Sequence, residues 1–108
     1  MAQIIASVFA DGVEATLQRA SRAAMAGADW IELRLDRWPL DQDLAPLIGS
    51  IRLPVLVAIR TPEDGGSFRG TAQERRELFH RALKAGAVGI DWSTGSSGLR
   101  RSALRAFG

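Results

Sequence analysis

Charged residues alternate with apolar ones in the stretch WIELRLD, residues 30–36. This alternation places Glu32, Arg34 and Asp36 on one face of a strand, with apolar residues on the other. Burying an unpaired ion is costly, so charges on a covered face must pair with one another or with a ligand. The stretch therefore predicts either a polar binding site or a strand face that lies in water.

Polar residues also stand near the ends of three other apolar runs. They are Ser7 in IIASVF, Arg60 in PVLVAIR and Asp91 in AVGIDW. By the same alternation, Arg60 shares a face with Leu56 and Ala58. If these runs are neighbouring strands, two arginines and three acids meet at one end of the sheet and can bind a polar small molecule.

The sequence shows no nucleophile paired with a base and no metal-ligand cluster, so we assign no catalytic residue, metal or cofactor. The one lysine, Lys84, lies near the end of a predicted helix, where the helix dipole favours a cation. The one histidine, His80, stands among charged residues of the same helix and is interpreted as a solvated or packing residue.

Four strands and three helices are predicted to position these residues. Glycines 27 and 86 follow two of the helices and are typical left-handed helix stops. The middle helix is interrupted by Pro46 and is predicted to be short. The predicted strands are Ile4–Phe9, Trp30–Asp36, Pro54–Arg60 and Ala87–Trp92, and the predicted helices are Val13–Ala26, a segment within Asp41–Ile51, and Thr71–Ala85.

The order βαβαβαβ predicts an α/β fold with a parallel sheet. Residues 22–32 and 81–91 share the pattern R-A-x-x-A-G-A-x-x-I-acid, and two βα units of about 30 residues fit the spacing between them. Eight such units would make a barrel of typical size, about 250 residues. We therefore predict the amino-terminal half of a (β/α)8 TIM-type barrel, whose lumen would receive the charges of residues 32–36. The alternative is an edge strand with its charges in water.

Composition limits the remaining function classes. The chain has 108 residues, no cysteine and a net charge of +2. The lack of cysteine and of any long apolar run predicts a cytoplasmic protein without a membrane partner. The basic excess lies in the tail, at Arg100, Arg101 and Arg105, without interleaved aromatic residues, so no nucleic-acid partner is expected.

With these motifs in place, the sequence resembles the type I 3-dehydroquinate dehydratases, (β/α)8 enzymes of the shikimate pathway that use a Schiff-base lysine. The resemblance rests on IIASV, IELRLD, AIRTPEDGGSFRG and AGAVGIDW, within residues 4–92. It implies that Ser7, Glu32, Arg34 and Arg60 contact the substrate, 3-dehydroquinate, and that Asp36 supports them. It also implies a mobile loop at the turn formed by residues 64–66.

The sequence departs from the family pattern after Asp91, where Ser93 stands in place of the family's glutamate. The family's general-base histidine and Schiff-base lysine lie on later strands and have no counterpart here. We therefore interpret residues 1–93 as half of a dehydratase-like barrel. Residues 94–108 are interpreted as a Ser/Gly linker and an Arg-rich tail, either a short helix or an aberrant sequence from a frameshift or truncation.

Three functions remain open at this stage. The first is a truncated dehydratase-like protein that binds 3-dehydroquinate with little or no turnover. The second is a non-catalytic half-barrel that pairs with itself or with a partner chain, because an open parallel sheet exposes its edges. The third is a different (β/α)8 enzyme with similar strand ends.

Overall fold

The computed structural model describes residues 3–91 of the chain. Strands and helices alternate along it as predicted, and one additional 3-10 turn, Pro62–Asp64, precedes the last helix. A proline at the first position of the turn and Gly65 after it are a recognisable sequence signal. The elements are β1 Ile5–Phe9, α1 Val13–Met25, β2 Trp30–Arg34, α2 Ala45–Ile48, β3 Val55–Ala58, α3 Ala72–Lys84 and β4 Gly89–Asp91.

The four strands form one parallel sheet in the order β1-β2-β3-β4. Strands that follow one another in the sequence are therefore neighbours in the sheet, and a helix connects each pair. β2 lies between β1 and β3, so the interpretation of WIELRLD as an edge strand is wrong. This sequential βαβαβαβ arrangement is that of half a (β/α)8 barrel, and it confirms the predicted fold class.

One face of the sheet packs against the helices and forms the hydrophobic core. The alternate residues of β2, Ile31 and Leu33, are fully buried there. Burial of apolar surface of this kind is the main favourable term in folding. Other members of the core from strands and helices are Val8, Leu35, Val55, Val57, Ile59, Leu47, Ile48, Leu78, Phe79 and Ala82.

The two repeated segments have the same local structure. In both, the helix is followed by a capping alanine and then by a glycine of positive φ, 105° at Gly27 and 118° at Gly86. In both, the next amide donates back to a carbonyl five residues earlier, from Ala28 to Ala23 and from Ala87 to Ala82. Positive φ is accessible to glycine without a steric penalty, so the predicted helix stops are confirmed.

β2 and β3 are shorter than predicted at their carboxyl ends. The prediction continued β2 to Asp36 and β3 to Arg60, whereas the strands end at Arg34 and Ala58. Beyond Ala58 the backbone binds side chains instead of a neighbouring strand: the Arg60 amide donates to Asp36. The sheet therefore ends where the polar site begins.

Among residues 3–91, no helix is long and apolar enough to cross a membrane. The same residues contain no group of three or more His, Cys, Asp or Glu side chains that could hold a metal ion. The predicted short helix of the tail and Ser93 lie outside the described residues.

Candidate substrate-binding site

The sheet face opposite the helices, called the inner face below, collects the polar residues of the four strands. The strand register places Ser7 beside Glu32. Two residues further along the strands, Arg34 of β2 pairs with Ala58 of β3, and Ala58 pairs with Asp91 of β4. Because carboxyl ends of parallel strands meet at one edge, these side chains form one cluster.

Three contacts cross the inner face: one joins β1 to β2, and two join Arg60, just beyond β3, to β2 and β4. The Ser7 hydroxyl donates to Glu32 Oε1 at 2.9 Å. Arg60 Nη2 donates to Asp91 Oδ2 at 2.9 Å and lies 3.8 Å from Glu32 Oε2. Glu32 and Asp91 are each 1% exposed. One guanidinium therefore contacts both buried carboxyl groups and gives each of them a positively charged partner.

Arg34 and Asp36 form the second ion pair of the site. Arg34 Nε donates to Asp36 Oδ1 at 3.2 Å, and its Nη2 donates to Oδ2, so the pair is bidentate. Burial alone would raise the pKa of Asp36, but hydrogen bonds from Arg34 and from two backbone amides lower it below its ordinary value. Asp36 is therefore ionised at neutral pH and holds Arg34 in place.

Both backbone amides lie in the segment between β3 and α3. Arg60 N donates to Asp36 Oδ1 at 3.0 Å, and Ser67 N donates to Asp36 Oδ2 at 3.1 Å. One carboxylate thus links a side chain of β2 to the backbone on both sides of the 3-10 turn. The supporting role that the resemblance implies for Asp36 stays a prediction.

The loop between β3 and α3 folds back over Arg60. The amides of Asp64 and Gly66 both donate to the Thr61 carbonyl, and the Phe68 amide donates to the Arg60 carbonyl at 3.0 Å. Gly65 has φ 84°, which favours glycine. Several backbone hydrogen bonds therefore hold this loop in the structure.

The cluster offers hydrogen-bond donors and acceptors that suit a small polar ligand. The side chains of Arg34 and Arg60 are 14% and 13% exposed, so their guanidinium groups are largely shielded from water. Arg34 also lies over the partly exposed ring of Phe9, 4.8 Å from its centroid. Guanidinium groups donate strongly to carboxylates, and buried carboxylates accept from hydroxyl groups.

The one lysine and the one histidine of the sequence lie away from the site. α3 begins after the loop at the carboxyl end of β3 and ends before β4 starts, so Lys84, its last residue, lies at the opposite end of the sheet. His80 is exposed on the surface of α3. The structural roles assigned to both residues stay predictions.

All five residues that the resemblance assigned to the site or its support lie in this one cluster: Ser7, Glu32, Arg34, Asp36 and Arg60. Ser67 and Arg75 also contribute contacts, and the sequence analysis did not name them. Arg75 stands in the run Glu74-Arg75-Arg76-Glu77, which is typical of a solvated helix face. Only the fold shows that Arg75 Nε donates to the Ile59 carbonyl, at 2.8 Å.

Comparison with known proteins identifies the family. The family model described as type I 3-dehydroquinase matches residues 4–105. The chain belongs to this family. The match extends beyond residue 93, where the sequence analysis separated barrel from tail, and that division stays a prediction. The reading as a different barrel enzyme is replaced by membership of the 3-dehydroquinase family.

The chain is also similar in sequence to individual 3-dehydroquinate dehydratases. The chain is 37% identical over 92 residues to the chloroplastic bifunctional 3-dehydroquinate dehydratase/shikimate dehydrogenase of Arabidopsis thaliana, covering 82% of this chain and 15% of that protein. It is 33% identical over 102 residues to 3-dehydroquinate dehydratase of Methanothermobacter thermautotrophicus, covering 92% and 46%. The chain thus spans less than half the length of these relatives. Among solved structures, dihydropteroate synthase of Burkholderia cenocepacia aligns with a TM-score of 0.48 and 20% identity, covering 97% of this chain and 35% of that one.

Proposed function

We propose that the inner-face cluster is the substrate-binding part of a 3-dehydroquinate dehydratase site. The observation that carries the proposal is the buried network of two arginines and three acids at the strand ends of a chain in this family. In this proposal Ser7, Glu32, Arg34 and Arg60 contact the ring substituents of 3-dehydroquinate. Asp36 positions Arg34 and the backbone of Arg60.

Each group has a chemical reason for its role. The guanidinium groups of Arg34 and Arg60 donate to substrate oxygens and still have donors beyond those used by their acids. Glu32 accepts hydrogen bonds from ring hydroxyl groups, and Ser7 orients Glu32 through its own hydroxyl. The dehydration that converts 3-dehydroquinate to 3-dehydroshikimate also needs a Schiff-base lysine and a general base.

Titration of the 108-residue chain with 3-dehydroquinate tests the binding proposal. We expect saturable shifts of the Arg34 and Arg60 side-chain signals by NMR. Arg60→Lys keeps the positive charge but loses the planar fork, so we expect binding about tenfold weaker. Arg52→Lys, at an exposed position before β3, is the matched control. Failure of the wild-type chain to bind, with its fold intact by NMR, would contradict the proposal.

We further propose that this polypeptide binds the substrate without turning it over. Lys84 is its one lysine, and it lies at the end of the sheet opposite the cluster. Borohydride reduction in the presence of 3-dehydroquinate should therefore leave the mass of the chain unchanged, and no 3-dehydroshikimate absorbance should develop. A trapped adduct on Lys84 would refute this.

The alternative function is a half-barrel that associates with itself or with a partner chain. Within residues 3–91, β1 and β4 each pair with a single strand, which leaves one edge of each available for association. Sedimentation at micromolar concentration tests the first form of this alternative, since a well-folded monomer would exclude self-association. The cytoplasmic location stays a prediction, which cell fractionation would test.

A further inference from the structure

Side chains bind both polar groups of the peptide unit between Ile59 and Arg60. Its carbonyl oxygen accepts a hydrogen bond from Arg75 Nε at 2.8 Å. Its amide donates to Asp36 Oδ1 at 3.0 Å. β3 ends at Ala58, so these two side chains take over at the point where strand pairing stops.

Arg75 reaches this peptide from the first turn of α3. Its own amide donates to the Thr71 carbonyl, and Thr71 caps the helix, so the helix start is well defined. Its guanidinium lies 5.3 Å from the centroid of the buried Phe79 ring. These contacts hold Arg75 next to the first residues that follow β3.

Three charged groups act on Arg75, two of them in the candidate site and one in the loop after β3. Burial lowers the pKa of its guanidinium, while Asp64 and Asp36 attract the positive charge and Arg60 repels it. The Arg75 guanidinium nevertheless stays positively charged at neutral pH. A helix residue outside the strand motifs is therefore electrostatically coupled to Asp36 and Arg60 of the site, and to Asp64 of the adjoining loop.

We infer that Arg75 is a positioning residue for Arg60. By fixing the Ile59 carbonyl while Asp36 fixes the Arg60 amide, it sets the plane of the peptide from which the Arg60 side chain extends toward Asp91 and Glu32. The effect on substrate rests on the proposed function, whereas the effect on the peptide does not. A misplaced guanidinium would lose part of its contacts with a bound ligand.

Two substitutions whose side chains match arginine in length as far as Nε separate the effect of the hydrogen bond from that of the side chain's bulk. Arg75→Gln places an N–H donor at the same chain position as Nε, and Arg75→Met places a methyl group there. Arg76→Met, one residue along on the exposed face of α3, is the control for loss of one arginine. All three are made in the full chain.

Amide hydrogen exchange measured by NMR is the first readout. In Arg75→Met we expect the Arg60 amide to exchange about tenfold faster, with the Val57 amide in the middle of β3 unchanged. In Arg75→Gln and Arg76→Met we expect Arg60 exchange within about twofold of wild type. A merely structural role would accelerate Val57 and Arg60 alike, and that result, or unchanged Arg60 exchange in Arg75→Met, would overturn the inference.

Titration with 3-dehydroquinate is the second readout. If the wild-type chain binds, we expect Arg75→Met to weaken binding by about tenfold and Arg75→Gln to restore most of it. Equal affinities of Arg75→Met and wild type would overturn the positioning role toward substrate. If the wild-type chain does not bind, the proposed function fails while the exchange experiment still decides whether Arg75 positions the peptide.

Discussion

At the scale of single residues, Asp36 carries the largest share of the site's organisation. Its two oxygens accept hydrogen bonds from the Arg34 side chain and from the amides of Arg60 and Ser67. A buried carboxylate with charged and backbone donors is stabilised in its ionised form. Removal of this one charge should therefore affect Arg34, β3 and the following loop together.

Asp36→Asn tests that conclusion. Because the folded-state pKa of Asp36 lies below the ordinary value of 3.8, its contribution to stability is present above that pH and is lost as the pH falls through the folded-state pKa. At neutral pH we expect the free energy of unfolding to fall by about 3 kcal/mol. Between about pH 5 and pH 2 the variant should lose less stability than wild type.

Urea unfolding at a series of pH values makes the measurement. Asp41→Asn removes one carboxylate at an exposed position and serves as the control. A parallel pH dependence for wild type and Asp36→Asn would contradict the assigned role of Asp36.

Gly66 offers a steric test of the same region. A Cβ at this position would lie 2.1 Å from the Arg60 carbonyl oxygen and 2.4 Å from the Arg60 Cβ. Gly66→Ala should therefore displace Arg60 or the loop and lower the free energy of unfolding by about 1–3 kcal/mol. Gly12→Ala, where an added Cβ meets nothing within 4 Å, is the control. Thermal unfolding of both variants would show whether the close approach is required.

At the scale of secondary-structure elements, α3 shows how local sequence defines a helix that supports the site. Thr71 Oγ1 accepts from the Glu74 amide at 3.0 Å, and the Glu74 carboxylate accepts from the Thr71 amide at 2.8 Å. This capping box satisfies two amides that would otherwise lack partners at the start of the helix. It also defines the first turn of α3, from which Arg75 donates to the Ile59 carbonyl.

Loss of the capping hydroxyl should be measurable. In Thr71→Ala we expect the free energy of unfolding to fall by about 1 kcal/mol, because the Glu74 amide loses its acceptor. Thr71→Ser keeps the hydroxyl and should stay closer to wild type. Equal destabilisation of the two variants in urea would mean that the methyl group of Thr71, rather than the cap, supports the helix.

At the scale of the whole molecule, the sheet separates two kinds of packing. The face toward the helices is apolar, while the inner face carries Ser7, Glu32, Arg34 and Asp91. β2 contributes to both faces, with Leu33 fully buried on the helix side and Glu32 buried on the other. Stability should therefore depend most on the apolar residues of this central strand.

Leu33→Ala tests the contribution of the core. Deleting a fully buried leucine side chain leaves a cavity, so we expect a loss of about 2–5 kcal/mol in the free energy of unfolding. Leu40→Ala, at a residue that is 37% exposed, is the control and should cost considerably less. Comparable losses for the two variants would mean that the helix-facing side is not the main core.

The sequence by itself determined the order of elements, the two faces of β2 and the residues that share the inner face. These follow from local sequence: a period of two along the strands, and a glycine after each of the helices α1 and α3. The motifs of IELRLD and AIRTPEDGG also led to the family, because side-chain type and spacing are visible along the chain.

Only the tertiary structure decided which groups actually meet. It showed that Arg60 pairs with Asp91, that Asp36 binds two amides more than 20 residues away, and that Arg75 reaches Ile59. Within α3, Arg75 and the exposed Arg76 are the same residue type in the same charged run. What distinguishes them is the direction of each side chain relative to β3, a property of the packed sheet and helix that local periodicity does not encode.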